Sequence, residues 1–224
     1  MKNSRTAFVV LAVFPLLTVG SARASIIGGN VTGGNAFSEG GAFLKLTLPL
    51  ANPLGAWNSV GYDTFEDNNL HGFDERQNFV LPADLFVDVG GGSLAAGTTV
   101  DSHYIFFDPG RYASVVGTVD FDSDILAIIT HTGHLLASDF LGNTNTYYMN
   151  HSKGGLEPAD SVTIRGGRQI LLAATADSPG DYIRVLTKSS AIVATPEPVA
   201  SALLALGLAA MVLLAKRAQN RRVE

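Results

Sequence analysis

Three aspartates alternate along one short segment and could bind a metal ion together. Asp120, Asp122 and Asp124 occupy every second position, so in a β-strand their carboxylates would project from one side. Adjacent like charges repel unless water or a cation lies between them, and calcium takes six to eight oxygen ligands. An ordinary solvated strand end is the simpler interpretation, because the glycine and distal glutamate of an EF-hand loop are missing. A structural calcium site is the alternative. Further oxygen ligands are available from Asp63, Glu66, Asp67 and Asn68.

Two histidines flank a short turn and form a second candidate metal site. His131 and His134 are separated by Thr132-Gly133, with His103 or His151 available as a third ligand. Catalytic zinc needs three protein ligands and an open position, and the sequence has no HExxH signature. Exposed turn histidines are the simpler interpretation.

One run of residues contains the three side-chain types of a hydrolase triad. Asp101, Ser102 and His103 are consecutive, and in a strand Ser102 would point away from both neighbours. The sequence also has no Gly-x-Ser-x-Gly elbow. Paired-carboxylate glycosidase chemistry remains open, but no pair is marked out among the many acidic residues. We therefore expect a protein that is not an enzyme, with a secreted hydrolase as the second alternative.

Paired aromatic residues offer a candidate sugar-binding patch. Tyr147 and Tyr148 lie between Asn145 and Asn150; rings can stack on sugar faces while amides bond the hydroxyls. Core packing is the commoner fate of a ring. A calcium-dependent carbohydrate-binding module is therefore the first alternative function.

Composition excludes several classes of chemistry. The chain has no cysteine, which removes thiol catalysis, CxxC redox chemistry and zinc-thiolate sites. Between Ser25 and Ala194 there are 8 Lys and Arg against 18 Asp and Glu, a net charge of about −10. An acidic body argues against nucleic acid as a partner and favours divalent cations or neutral sugars.

The central region reads as a series of short strands. Apolar runs separated by Gly, Pro, Asn and Asp predict an all-β fold, an antiparallel β-sandwich of jelly-roll-like type. Residues 28–35, a repeated Gly-Gly-Asn, predict a turn or irregular segment, and residues 56–69 predict a loop with Phe65 beneath it. Residues 135–141 are also compatible with one short helix. The predicted strands are 42–48, 79–81, 85–89, 94–99, 100–107, 115–121, 125–130, 134–137, 161–165, 169–174 and 181–186.

The beginning of the chain has the pattern of a secretory signal peptide. Lys2 and Arg5 precede an apolar segment at 7–20, and Ala22-Arg23-Ala24 is a small-x-small cleavage site. We expect cleavage before Ser25, with an uncleaved membrane anchor as the alternative.

The end of the chain has the pattern of a membrane anchor. Pro196-Glu197-Pro198 should be stiff and extended, and an uncharged apolar run follows from Val199 to Ala215. That run reaches roughly 25 Å as a helix, a short transmembrane span. A buried core helix would instead carry a polar stripe. The positive-inside bias would hold the basic tail in the cytoplasm, namely Lys216, Arg217, Arg221 and Arg222.

This terminal arrangement resembles the PEP-CTERM sorting signal of Gram-negative bacteria, also catalogued as an ice-binding protein C-terminal domain. The resemblance rests on Pro196, Glu197 and Pro198, the apolar run and the basic cluster. It implies recognition by an exosortase, a membrane cysteine protease, and delivery to the cell surface or an exopolysaccharide matrix. It covers about an eighth of the chain and implies nothing about ice binding.

The body is similar to one recurring, uncharacterised type of PEP-CTERM cargo, which has no activity to transfer. We therefore expect an exported structural or adhesive protein that is held in the membrane before processing. Its expected parts are a signal peptide (1–24), a β-sandwich (25–194) and a sorting signal (195–224). Calcium is the one cofactor considered. The segments that carry the cargo resemblance are 72–78, 96–103, 107–110, 137–142 and 180–185.

Overall fold

The computed structural model describes residues 23–51, 53–54, 57–149, 154–189, 207–208 and 211. Every strand found there belongs to one compact unit, Ala22–Ser190. The helices are α1 (Gly34–Ser38) and α2 (Thr132–Ala137), with a 3-10 turn at Asp139–Leu141. The strands are β1 (Ile26–Gly33), β2 (Phe43–Lys45), β3 (Ser59–Val60), β4 (Leu70–Asp74), β5 (Phe79–Val80), β6 (Leu85–Phe86), β7 (Ser93–Leu94), β8 (Thr99–Phe107), β9 (Ala113–Phe121), β10 (Ile125–Ile129), β11 (Tyr147–Tyr148), β12 (Ser161–Arg165), β13 (Gln169–Ala176) and β14 (Asp181–Lys188).

Both predicted terminal signals fall largely outside this description. The described residues include no helix that is long and apolar enough to cross a membrane. The signal peptide up to Ala22, the motif Pro196-Glu197-Pro198 and the basic tail lie outside them, and only residues 207, 208 and 211 of the predicted transmembrane segment lie inside.

Two mainly antiparallel sheets make up the body, which confirms the all-β prediction. One sheet has the order β1-β9-β13-β12, and the other has the order β10-β14-β8-β4-β2 with β5 also pairing with β8. The β2–β4 pair is parallel, a departure from the expected antiparallel arrangement. Two small pairs lie apart from the main sheets: β3 with β11, and β6 with β7.

The first apolar core lies between the two main sheets. In β9 buried and half-buried residues alternate strictly, because successive side chains of a strand point to opposite faces. Val115 and Val119 of that strand pack in one cluster with Ile105 of β8 and Ile183 of β14. The two sheets therefore form a sandwich around a shared core.

A second core covers the outer face of the six-stranded sheet. Tyr104 and Phe106 of β8 and Tyr182 of β14 pack there with Leu135 of α2 and with Phe65 from the loop before β4. Eight of the nine residues of β8 are buried as a result. Polar side chains on this sheet have little access to water and need partners inside the protein.

The segment predicted to turn at 28–35 is instead largely strand β1, and that prediction was wrong. β1 pairs with β9 from Ile26 to Gly33. A Cβ on Gly29 would lie 2.5 Å from the Thr118 carbonyl oxygen and 2.6 Å from Phe43 Cγ. The glycine therefore allows β1 to pack closely against β9 of its own sheet and against Phe43 of the other sheet.

The prediction of a strand at 134–137 was also wrong, because these residues belong to α2. The alternative prediction of a short helix at 135–141 agrees better with the structure. His131 caps α2 by accepting a hydrogen bond at Nδ1 from the Gly133 N–H (3.2 Å). The 3-10 turn follows directly. β4 was not predicted, because Leu70-His71-Gly72-Phe73-Asp74 lacks a simple alternation; all but its last residue are buried.

Candidate functional site

Three carboxylates converge at one end of the sandwich. Glu157, Asp160 and Asp181 place one ligand atom each within 4.8 Å of one another, the one such group of three or more among the described residues. Asp181 is the first residue of β14, and the other two lie in the segment 154–160 that precedes β12. No local spacing marks this acidic cluster in the sequence, because the fold brings together residues more than twenty positions apart.

Asp181 is the buried member of the acidic cluster. Asp181 is 2% exposed, and among the described residues its Oδ2 has no hydrogen-bond partner. Burial raises the pKa of Asp181 to about 9, assisted by the negative charges of Glu157 and Asp160 and by a hydrogen bond with the Glu157 side chain. Ionised carboxylates accept hydrogen bonds but donate none, so they cannot hydrogen-bond to one another. The three carboxylates of the cluster can instead share a proton or hold a cation.

Asp160 fixes the acidic cluster to the neighbouring sheet. Its Oδ2 accepts a hydrogen bond from the Glu157 N–H (2.9 Å) and its Oδ1 accepts one from the Thr175 N–H of β13 (2.9 Å). Asp181 belongs to the other sheet. The cluster therefore stands where the two sheets meet.

A cleft of about 610 Å³ lies beside the acidic cluster, and its lining includes Glu157, Asp160, Asp88 and His131. Asp88 accepts hydrogen bonds from the backbone N–H groups of Thr130 (2.7 Å) and His131 (2.8 Å). Burial opposes ionisation of Asp88, but these bonds and the one with His134 outweigh it and lower its pKa. The cleft wall is thus acidic and well ordered.

The aspartates of the predicted calcium row do not come together. Only Asp120 lies within β9, which ends at Phe121. Gln169 Nε2 donates to Asp120 (2.7 Å), the Ser25 N–H donates to Asp122 (2.7 Å), and Arg168 Nε donates to Asp124 (2.8 Å). Each carboxylate has its own protein donor.

The predicted helper residues 63–68 serve other contacts. Asp63 accepts from Ser178 Oγ (2.7 Å), and Asp67 pairs with His71 (2.8 Å). Asn68 donates to Glu39 (2.7 Å). Phe65 is buried as predicted.

His131 and His134 share one network around Asp88, and His103 lies in another. His134 pairs with Asp88 (2.7 Å), and His131, whose ring centroid lies 5.3 Å from that of His134, caps α2. His103 is fully buried between Asp74 and Thr187. His151 lies outside the described residues.

The alternation of β8 separates Asp101, Ser102 and His103 as expected. Ser102 Oγ donates to Glu75 Oε2 (2.5 Å), whereas His103 lies on the other face against Asp74 and Phe121. A different acid, histidine and hydroxyl do form a chain: His103 Nδ1 is 2.7 Å from Asp74 Oδ1 and Nε2 is 3.0 Å from Thr187 Oγ1. His103 and Thr187 are both 0% exposed, so a substrate cannot reach this hydroxyl.

Asp74 also anchors the first described residues. Its Oδ2 accepts hydrogen bonds from Lys45 Nζ (2.7 Å) and Ser25 Oγ (2.7 Å). Burial alone would raise the pKa of Asp74, but the hydrogen bonds from His103 and Lys45 outweigh it and hold the pKa well below its usual range. Three consecutive backbone N–H groups dock on carboxylates here: Ala24 on Asp101 (2.7 Å), Ser25 on Asp122 (2.7 Å) and Ile26 on Asp74 (3.0 Å).

A fully buried ion pair occupies the second core, and no local sequence pattern predicts it. Arg184 contacts Glu75 in two places, with Nε 2.7 Å from Oε2 and Nη2 3.0 Å from Oε1. Nη1 donates to Ser138 Oγ (2.6 Å) and to the Leu135 carbonyl (3.1 Å). Burial opposes the charge of Arg184, but Glu75 outweighs it and raises the pKa. The pair fixes α2 against β14.

The two tyrosines of the predicted sugar patch face opposite ways. Tyr147 is 68% exposed, whereas Tyr148 packs edge-on against Tyr104 at 5.3 Å between ring centroids. Its hydroxyl accepts a hydrogen bond from the Asn143 N–H (3.0 Å). The pair does not form one stacking platform.

Comparison of the chain with protein-family models, curated proteins and solved structures found no significant match.

Proposed function

We propose that this chain is an exported, non-catalytic component of the cell surface or exopolysaccharide matrix, delivered through a PEP-CTERM sorting signal. The observation that carries the proposal is the order of the C-terminal residues. Pro196-Glu197-Pro198 is followed by the uncharged run from 199 to 215 and then by Lys216 and Arg217. The sequence predicts an extended motif beside a short membrane helix, an arrangement that a membrane protease could reach, and the partner we propose is an exosortase.

The opposite end supports export. A basic start, a short apolar segment and Ala22-Arg23-Ala24 have the order of a signal peptide. Cleavage before Ser25 would create an α-ammonium group where the Ser25 nitrogen lies 2.7 Å from Asp122 Oδ1. The new terminus would thus gain an opposite charge beside it.

The body supports a structural or adhesive role. Its six-stranded sheet is covered on both faces, and the polar groups of its interior include the Glu75–Arg184 and Asp74–His103 pairs. The acid–histidine–hydroxyl chain ends on the buried Thr187. A sandwich with this packing presents loops on a rigid support.

We also propose that the strands of the sandwich are connected in a jelly-roll-like order. A calcium-dependent carbohydrate-binding module is the first alternative function, and exposed Trp57, Tyr112 and Tyr147 are among the rings that could contact a sugar. The second alternative, a secreted hydrolase, requires turnover on a panel of polysaccharides and esters, where we expect none.

The sorting step is tested by substitution within the motif. We expect Glu197→Ala, expressed in the native host, to remain in the membrane fraction while the unaltered chain reaches the extracellular matrix. Glu224→Ala, which changes an acidic residue of the same tail outside the motif, is the control and should be released normally. Release of the Glu197→Ala chain at the normal level would refute recognition of this motif.

A further inference from the structure

We propose that Glu157, Asp160 and Asp181 bind one calcium ion, which joins the segment 154–160 to the start of β14 where the two sheets meet. The inference is independent of the proposed function, because it rests on the folded body alone. It places a calcium site elsewhere than the row Asp120, Asp122 and Asp124.

No Lys, Arg or His among the described residues forms an ion pair with the acidic cluster. The Lys and Arg residues of the described ion pairs contact other acids instead. Asp181 is 2% exposed, and no described group hydrogen-bonds to its Oδ2. Ionising a buried carboxylate with no cation beside it is costly, and the two neighbouring carboxylates add repulsion. A bound cation would remove both penalties.

The segment that carries two of the ligands is held in place by the backbone. The Gly154 carbonyl accepts from the Tyr182 N–H (2.9 Å), the Leu156 N–H donates to the Thr130 carbonyl (2.9 Å), and Asp160 is fixed on Thr175. These hydrogen bonds already hold the segment in place. Calcium binding would therefore cost less conformational entropy than binding to a segment that the ion had to order.

The donor set selects calcium among common cations. All three side chains offer oxygen, and zinc prefers nitrogen and sulfur ligands. Magnesium demands near-ideal octahedral geometry, whereas calcium accepts six to eight oxygens in irregular arrangements. Glu157 is exposed and lines the cleft together with Asp160, so water can complete the coordination shell from that side.

The test uses the full chain in mild detergent, stripped with EGTA. We expect 5 mM CaCl₂ to raise Tm by about 3 to 6 °C, since a ligand that binds only the folded state stabilises it. The same concentration of MgCl₂ should have much less effect. Titration calorimetry should give one site with a Kd of about 0.1 to 1 mM, the range of extracellular calcium modules. Absence of both heat and Tm shift with calcium would overturn the proposal.

Matched variants locate the ion. Glu157→Gln changes an exposed ligand and should weaken calcium binding at least tenfold, and Asp181→Asn should abolish it. Asp124→Asn, which alters an exposed acid of the sequence-predicted row, should bind calcium as the unaltered chain does. If Asp181→Asn fails to fold, Glu157→Gln still decides the question. Calcium binding that survives Glu157→Gln and is lost in Asp124→Asn would refute this site in favour of the row.

Discussion

At the scale of single residues, burial on both faces of the six-stranded sheet determines which polar side chains must pair. Asp74 shows this most clearly, because it contacts His103 of β8, Lys45 of β2 and Ser25. It also accepts the Ile26 N–H of β1. One carboxylate thus connects three strands and the first described residues.

We expect Asp74→Asn to lower the free energy of unfolding by about 1 to 3 kcal/mol at pH 7, because the buried His103 ring, the buried Ile26 N–H and the exposed Lys45 ammonium lose a charged partner. The pKa of Asp74 is lower in the folded state than in the unfolded state. Its stabilisation is therefore complete above the unfolded pKa of about 4 and is lost as the pH falls through the lower folded value.

Urea unfolding of both chains at pH 7 and at progressively lower pH measures this difference, which should shrink below about pH 4. The exposed substitution Asp124→Asn is the control and should leave the urea midpoint at pH 7 nearly unchanged. A difference between Asp74→Asn and the unaltered chain that is independent of pH would contradict the assigned role.

The sequence could predict side-chain directions within a strand but not partners between strands. Ser102, Tyr104 and Phe106 face one way as expected, and the same alternation separates Ser102 from His103. The partner of His103 at Thr187 is 84 positions away. Such pairs depend on the register of β8 with β14, which no local pattern encodes.

At the scale of elements, apolar runs bounded by turn residues were predicted well. β12 has the predicted bounds of 161–165, and β8, β9, β10, β13 and β14 lie where expected. β1 was missed because its glycines were taken as turn residues. Whether a strand position requires glycine depends on which residues pack against it. At Gly29 one of these residues is Phe43 of β2, which is too far away in the sequence to be recognised from a local pattern.

Two neighbouring glycines of β1 give a test of this explanation. A Cβ at Gly29 would meet the Thr118 carbonyl oxygen at 2.5 Å and the Phe43 ring, whereas a Cβ at Gly28 would find its nearest neighbour, an oxygen of Asp120, at 4.0 Å. We expect Gly29→Ala to lower the free energy of unfolding by about 1 to 3 kcal/mol through overpacking.

The matched substitution Gly28→Ala should have little effect, and urea unfolding measures both chains. Equal stability of the two variants would mean that close packing does not explain the glycine in β1.

At the scale of the whole molecule, the all-β fold follows from the pattern of strands, but the second core does not. Its cover comes from loops, α2 and the 3-10 turn, through scattered apolar residues such as Leu50, Leu135 and Leu141. Single apolar residues outside strands carry no periodicity. The acidic cluster escaped prediction for a similar reason, since Asp160 and Asp181 are distant in sequence and are brought together by the fold.

We propose that the body is exported and released by processing at both ends. The intact mass of the protein recovered from the native host, measured separately in the membrane and extracellular fractions, tests this proposal. We predict an extracellular species that begins at Ser25 and ends near Pro196 to Pro198. An extracellular species that keeps Arg221 and Arg222, or one that retains the first twenty residues, would contradict the account.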